Sequence, residues 1–237
     1  MGFHQSNKTG GGHMSAKPKL YQFSISPSCQ RVFATFAHKG VEYDVFEVDV
    51  SKKERPEEFN QVAPFGKVPV LAHNGRVLVE SAVICQYIND VWPDPPMLPT
   101  DSAELAYARQ WIVFADRILD KDAQFTHIER DRARKVEICH SLFADLSHLE
   151  RELGGKDQFF LGEDLSLLDC IFSSTMAFLP IWSKIIDDKL YSTYPNIQAY
   201  TERLRGHPTL EANVYNIPAE VYEGFFGAVL GDGLTVP

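Results

Sequence analysis

The stretch FSISPSCQRV, residues 23–32, holds a hydroxyl and a thiol three positions apart, Ser26 and Cys29. The spacing imitates a redox Cys-x-x-C pair in which the first sulfur has become an oxygen. In such a pair the first sulfur is the exposed, attacking one, and the second faces inward along the helix. Pro27 suits the first position of a helix, where its missing N–H costs nothing. Ser26 is then the N-cap and Cys29 lies in the first turn. As a cap alone, Ser26 contributes about 1 kcal/mol. A helix N-terminus also attracts anions through its free N–H groups and the positive end of its dipole. A hydroxyl at that point can donate a charge-assisted hydrogen bond to a thiolate. Cys29 is the rival nucleophile, because a thiol in a first helical turn has a lowered pKa. Its inward position predicts a buried sulfur instead.

Two further segments carry groups of the right kind. In Gly66-Lys67-Val68-Pro69-Val70 a proline heads an apolar run. It deprives a sheet of one donor, so it marks an edge or a special bend. Val68–Pro69 is a candidate cis bond, since cis peptides are largely confined to X–Pro. A cis bond there turns the N–H and C=O of Val68 outward, ready to pair with an extended peptide. In Glu80-Ser81 the serine reads as a second N-cap. Residue 84 is Ile, so no capping box occupies it. A carboxylate can dock on the Ser81 hydroxyl and amide, and Glu80 beside it can hold an ammonium group. Adjacent sites for a carboxylate and an ammonium describe the end of an amino acid.

The elements that must position these residues are legible from periodicity. KLYQFSI reads as a strand, and Val32, Phe33, Phe36 and Ala37 repeat at helical spacing up to Gly40. EYDVFEV places Tyr43, Val45 and Val48 in a second strand, and a short helix is expected from Pro56. VPVLA and RVLVE flank His73-Asn74-Gly75, an Asn-Gly hairpin signal. A helix through Val83, Ile84, Tyr87, Ile88 and Val91 follows. The order predicts a right-handed βαβ crossover with parallel strands, extended by an antiparallel hairpin. Helices must cover both faces of so small a sheet. Four prolines in WPDPPMLPTD make a linker. Beyond it every pattern is helical. Leu105, Ala108, Ile112, Ala115 and Leu119 share one face, and a second face runs from Val136 to Leu153. Ser166-Leu167-Leu168-Asp169 is a capping box. A last helix opens at Pro195. The expected organisation is a leader over 1–18, extraneous to the native chain up to about residue 13, then domains over 19–91 and 101–237 joined by the linker 92–100.

Composition narrows the function. The chain has 237 residues, 44% of them apolar, and a net charge of −9. An acidic balance without a basic stripe disfavours nucleic acid as a partner. No apolar run reaches the ~18 residues that a membrane span needs. The four cysteines lie far apart, with no metal-ligand spacing, which predicts reduced thiols in the cytoplasm and no metal.

The series SPSCQRV, NQVAPFGKVPVL, VLVESAVICQYI, the proline-rich linker and LSLLD resembles the cytosolic glutathione S-transferases, from about Lys19 to about Leu210. The N-terminal motif is similar to the serine-type theta, phi and tau classes. The resemblance implies an α/β thioredoxin-like N-terminal domain that binds glutathione and an all-α C-terminal domain that shapes the electrophile pocket. By position, Ser26 matches the catalytic serine and Val68 with Pro69 the binder of the cysteinyl backbone. Glu80 and Ser81 match the γ-glutamyl site. Lys67 and Lys53 match the glycine carboxylate site, with Arg55 as a rival. Asp169 matches a capping aspartate of the fold. Cysteine-type classes carry sulfur where Ser26 stands, and Tyr21 comes too early for a catalytic tyrosine. On this reading the sulfur belongs to the ligand. Lowering a thiol pKa from about 8.5 by about two units needs roughly 2.7 kcal/mol of preference for the anion. Tyr107, Trp111 and Phe114 are candidates to line the electrophile pocket. The tail EGFFGAVLGDG folds either over this pocket or against the N-terminal domain. A homodimer is implied, with Phe65 as its anchor. Three alternatives stay open: glutathione-dependent isomerisation, dehalogenation or ether cleavage; a non-enzymatic binding protein; and a reactive Cys29.

Overall fold

The computed structural model describes residues 16–129, 131–186 and 189–216. The leader before residue 16 and the tail EGFFGAVLGDG lie outside the described residues. The first half of the chain runs β1 (Lys19–Gln22), α1 (Pro27–Lys39), β2 (Asp44–Glu47), α2 (Glu57–Val62), β3 (Val70–His73), β4 (Arg76–Leu78) and α3 (Ser81–Val91). The strands form one sheet in the order β2-β1-β3-β4. β1 and β2 are parallel, with Leu20 opposite Val45. β3 is antiparallel to both β1 and β4. This is the predicted βαβ unit plus hairpin. Asn74 and Gly75 turn the hairpin with φ of 49° and 73°, the pair of positive values that a two-residue hairpin turn requires.

Alternation along the strands separates two cores. Leu20 and Leu71 face one side and join α1 and α3 in the main core. Tyr21 and Val70 face the other side and pack with Val48, Phe59 and Ala63, under α2. β2 is an edge, so its Val45 is exposed while Val48, just past the strand, is buried. Tyr43 lies before the strand and stacks on Phe36 at 4.4 Å.

The second half is predominantly helical: α4 (Ser102–Ala123), continued by a π-helical turn at Gln124–Ile128, then α5 (Arg132–Glu152), α6 (Leu167–Ile186), α7 (Pro195–Arg205) and the short α8 (Pro208–Leu210). The helical faces read from the sequence point inward: Ala108, Ile112 and Ala115 on α4, Cys139, Leu142, Phe143, Leu146 and Leu149 on α5, and Ile197, Tyr200 and Leu204 on α7 are buried. Asp101 caps α4 by accepting from the Ala103 and Glu104 N–H groups at 2.9 and 3.1 Å. At the start of α6, Asp169 accepts from the Ser166 N–H at 2.7 Å and from its hydroxyl at 2.5 Å. The same carboxylate accepts from the Phe160 N–H at 2.9 Å and the Tyr200 hydroxyl at 2.6 Å. One buried group thereby ties α6, α7 and the loop before α6.

Three connections fix the halves against each other. The Arg31 guanidinium on α1, wholly buried, donates to Asp116 on α4 at 2.6 Å and to the Ala115 carbonyl at 3.1 Å. The buried Lys39 ammonium donates to Asn89 Oδ1 at 3.0 Å and to the Pro95 carbonyl in the linker. Met97 in the linker is buried, and its carbonyl accepts from the Leu167 N–H at 2.9 Å. The linker is thus an ordered strap along the helical half.

Candidate active site

A cleft of about 550 Å³ opens between one end of the sheet, formed by the carboxyl ends of β1, β2 and β4 and the amino end of β3, and the C-terminal half of α4. Ser26, Lys67, Val68, Pro69, Glu80 and Ser81 all line it. Six residues spread over fifty-six positions of sequence therefore meet in one place, the crevice at strand ends where open α/β sheets take ligands.

Each is delivered by a local device. Ser26 stands at the N-cap position of α1 with φ −72° and ψ 122°, and Pro27 opens the helix as the sequence predicts. The hydroxyl, however, caps no backbone N–H of its own helix. Its carbonyl accepts the Cys29 and Gln30 N–H groups at 2.9 and 3.0 Å, while the Ser28 N–H has no partner among the described residues. The turn before it is held by Glu47, which accepts from the Ser24 N–H at 2.7 Å and its hydroxyl at 2.9 Å. Glu47 was not singled out in the sequence, because its role needs the β1–β2 pairing.

The Val68–Pro69 bond is cis. Pro69 lies just outside the ladder, whose last β1–β3 pair is Tyr21 with Val70. β3 is therefore a central strand, and the proline marks its bend, not an edge. Neither the N–H nor the C=O of Val68 has a partner among the described residues. The preceding loop is clamped by Arg55, which donates to the Val50 carbonyl at 3.0 Å and to the Gly66 carbonyl. Gly66 has φ 61°, and a Cβ there would meet the Arg55 guanidinium at 2.9 Å. The positive φ is what favours glycine there.

At the third segment the structure shifts the expected cap by one residue. Glu80 is the N-cap, and Ser81 is the first residue of α3. Glu80 adopts φ 67° and ψ 111°, a conformation that costs a non-glycine residue of order 1–3 kcal/mol and gathers at binding sites. Nothing in the residue type signals it. Ser81 is buried at the mouth of the helix.

Residues 20–96 match the family model described as "Glutathione S-transferase, N-terminal domain". Glutathione S-transferase U2 of Arabidopsis thaliana is 35% identical over 190 residues, which span 78% of this chain and 83% of the relative. The chain belongs to the glutathione S-transferase family. Glutathione S-transferase U7 of the same plant is 33% identical over 204 residues, 83% of this chain and 86% of its own. The crystal structure of rice GST1 in complex with glutathione superposes with a TM-score of 0.77 at 25% identity, covering 94% of this chain and all of that one. A tau-class glutathione S-transferase from mango has the same fold, with a TM-score of 0.75 over 90% of this chain and 99% of its own at 24% identity.

In this member of the glutathione S-transferase family Cys29 is fully buried, and burial pushes its thiol up to about 12. The Phe23 N–H, 3.5 Å from its sulfur, and the Ser26 side chain offset this only in part. A sulfur so placed is neutral at physiological pH, as the inward position predicted. Lys53 is exposed and is not among the residues lining the cleft. Tyr107, Trp111 and Phe114 are not brought to it either. Tyr107 donates to Glu152 on α5, and Trp111 is buried with its ring 5.1 Å from Phe114 and 5.4 Å from Phe160. The α4 side of the cleft comes from the next two turns: Asp116, Leu119, Asp120, Asp122 and Ala123, with Ile128 beyond. Asp122 is only 5% exposed, and its Oδ1 has no hydrogen-bond partner among the described residues. Desolvation raises its pKa to about 7, against the opposing pull of Trp182 and Arg31.

Proposed function

We propose that the protein is a glutathione transferase. Ser26 holds the sulfur of glutathione as a thiolate at the start of α1, for attack on an electrophilic carbon of a small apolar molecule. One observation carries this reading: the Ser26 hydroxyl caps none of its own helix, yet lines a cleft shared with Val68, Glu80 and Ser81. The cysteinyl backbone pairs with the free N–H and C=O of Val68 in the manner of an added strand. The γ-glutamyl carboxylate docks on the Ser81 hydroxyl and the first amides of α3, and Glu80 takes the ammonium group. Lys67 is the better partner for the glycine carboxylate, because the Arg55 guanidinium is already anchored on two loop carbonyls and Lys53 stands off the cleft. Leu119, Ala123 and Ile128 offer apolar surface to the electrophile.

In the reaction the thiol proton leaves to solvent and the sulfur lone pair forms the S–C bond. The leaving group, a halide for an aryl halide, departs with its bonding pair. Ser26 acts by stabilising the anion and takes no proton. Four buried free thiols go with a reducing compartment, the cytosol. A homodimer accompanies this reading, with Phe65, 68% exposed, as its anchor.

The test is steady-state conjugation of 1-chloro-2,4-dinitrobenzene with glutathione. Ser26→Ala should lower turnover by about 100-fold, the equivalent of two pKa units returned to the thiol, while Cys29→Ala retains it. Full activity in Ser26→Ala with loss in Cys29→Ala would assign the chemistry to Cys29. Capture on immobilised glutathione without turnover would make the protein a binding module.

A further inference from the structure

Ser26 is presented by a turn that its own helix does not hold. The Phe23 carbonyl accepts the Ser26 N–H at 2.9 Å and closes the turn. At the first corner, Ser24 donates its N–H and its hydroxyl to one oxygen of Glu47, at 2.7 and 2.9 Å. The other oxygen accepts from the Gln22 amide at 3.1 Å. Gln22 and Glu47 stand opposite each other in the last pair of the β1–β2 ladder, so their side chains leave the sheet on the same face. The ladder fixes one end of the carboxylate, and the carboxylate reaches past the end of β1 to grip the turn. Hydrogen bonds to an ionised acceptor are the stronger kind. Gln22 and Ser24 are the only hydrogen-bond partners of Glu47 among the described residues. A weaker tie runs from the Phe23 N–H to the Cys29 sulfur at 3.5 Å. Burial is what chiefly pushes that thiol up to about 12, and the Glu47 charge adds to the rise. The carboxylate is thus near enough to the first turn of α1 to be felt there, and as an anion it opposes a second anion. Its service to the site is geometric, not electrostatic.

We infer that Glu47 is a positioning residue for the transfer: by gripping Ser24 from β2, it holds the turn that aims the Ser26 hydroxyl into the cleft. This rests on the transferase reading above, which gives the sulfur to Ser26. A group misplaced by about 1 Å can cost a reaction about 100-fold. Grip and charge can be separated by substitution. Glu47→Ala removes both. Glu47→Gln keeps an oxygen for Ser24, and its new N–H can be taken by the Gln22 Oε1, which has no partner among the described residues.

The test is the pH profile of 1-chloro-2,4-dinitrobenzene turnover at saturating glutathione. In Glu47→Ala the apparent pKa of the bound thiol should rise by about one unit, so that turnover falls about tenfold near pH ~6 and approaches wild type near pH ~9. Glu47→Gln should restore the wild-type profile. In a Ser26→Ala background, Glu47→Ala should add no further shift, because it acts through that serine. A loss of equal proportion at every pH, the mark of a merely structural role, overturns the inference. So does a Glu47→Gln protein as impaired as Glu47→Ala, or a full additional shift in the Ser26→Ala background. Amide hydrogen exchange across residues 22–30 reads the turn without any activity. It should quicken in Glu47→Ala and not in Glu47→Gln, and unchanged exchange also overturns the inference. A profile that moves with Ser26→Ala but not with Glu47→Ala sinks the inference alone. One that Ser26→Ala leaves unmoved sinks the transferase reading that gives the sulfur to this serine.

Discussion

Helices α1 and α6 each begin after a serine, and the two serines are in opposite states. Ser166 is buried, and its N–H and hydroxyl both donate to Asp169, which is itself saturated by Phe160 and Tyr200. Ser26 is half-buried, bonds none of its helix's N–H groups and opens on a cleft. The sequence presents the same device twice, a small hydroxyl residue ahead of an amphipathic helix. What separates the two helix starts is whether the serine is tied into its own helix terminus. A saturated terminus has nothing left to offer. An uncapped one beside a cavity leaves N–H groups open to it.

The contrast breaks most visibly at Asp169. Its carboxyl is raised above the usual carboxylate range, because desolvation outweighs the hydrogen bonds it accepts. Removing it still leaves four donors facing an apolar interior. Asp169→Ala should cost about 3–5 kcal/mol in urea unfolding. A cost below that of an ordinary surface substitution would show that the network is not what holds the α6 terminus.

Asp122 sharpens the comparison as a buried carboxylate that lacks such a network. Its folded pKa, about 7, lies above the ordinary 3.8. The native state therefore binds the proton more tightly than the unfolded chain does. The stability this gives is complete below the unfolded value and is lost as pH rises through the folded one. Asp122→Asn should accordingly be more stable than the wild type at neutral pH, by a few kcal/mol at most. The advantage should shrink as pH falls from about 8 towards 4, read from urea midpoints across that range. An advantage independent of pH would mean that the carboxyl is already neutral or already paired.

The two serines themselves give the smallest effects and the cleanest pair. Ser166→Ala should destabilise by about 1–2 kcal/mol through loss of the hydroxyl's hydrogen bond to Asp169. Ser26→Ala should leave the unfolding midpoint within about 0.5 kcal/mol of wild type while turnover falls. Equal costs at both positions, measured side by side by chemical denaturation, would erase the distinction between them.

Much of one cleft wall was legible in the sequence, and little of the other. Ser26, Lys67, Val68, Pro69, Glu80 and Ser81 stand at punctuation points, where Pro or a capping residue interrupts a periodic run. Local chemistry fixes such points. The α4 wall has no such punctuation. Periodicity correctly identifies the buried stripe through Ala108, Ile112 and Ala115. It cannot say which turn of a 22-residue helix passes the sheet, because that depends on where Arg31 meets Asp116, a contact between positions 85 apart. Tyr107, Trp111 and Phe114 fall a turn or two short of the cleft for this reason. In DKDA, Asp122 has charged neighbours, yet it stands seven residues after Ala115 on the inward stripe of α4, and packing buries it there. The positive φ of Glu80 is likewise imposed by its surroundings and not by its side chain.

The buried Arg31 bridge also divides α4 into two parts with different freedom to vary. The turn at Ala115 and Asp116 is bolted to the helix that carries Ser26, so a replacement there disturbs both halves of the molecule at once. One turn further on, Leu119, Asp120 and Ala123 face the cleft and are released from that duty. Substitutions at these three sites can change the shape and polarity of the cleft while the start of α1 stays in register. The helix thus carries a fixed hinge-pin and an interchangeable tip.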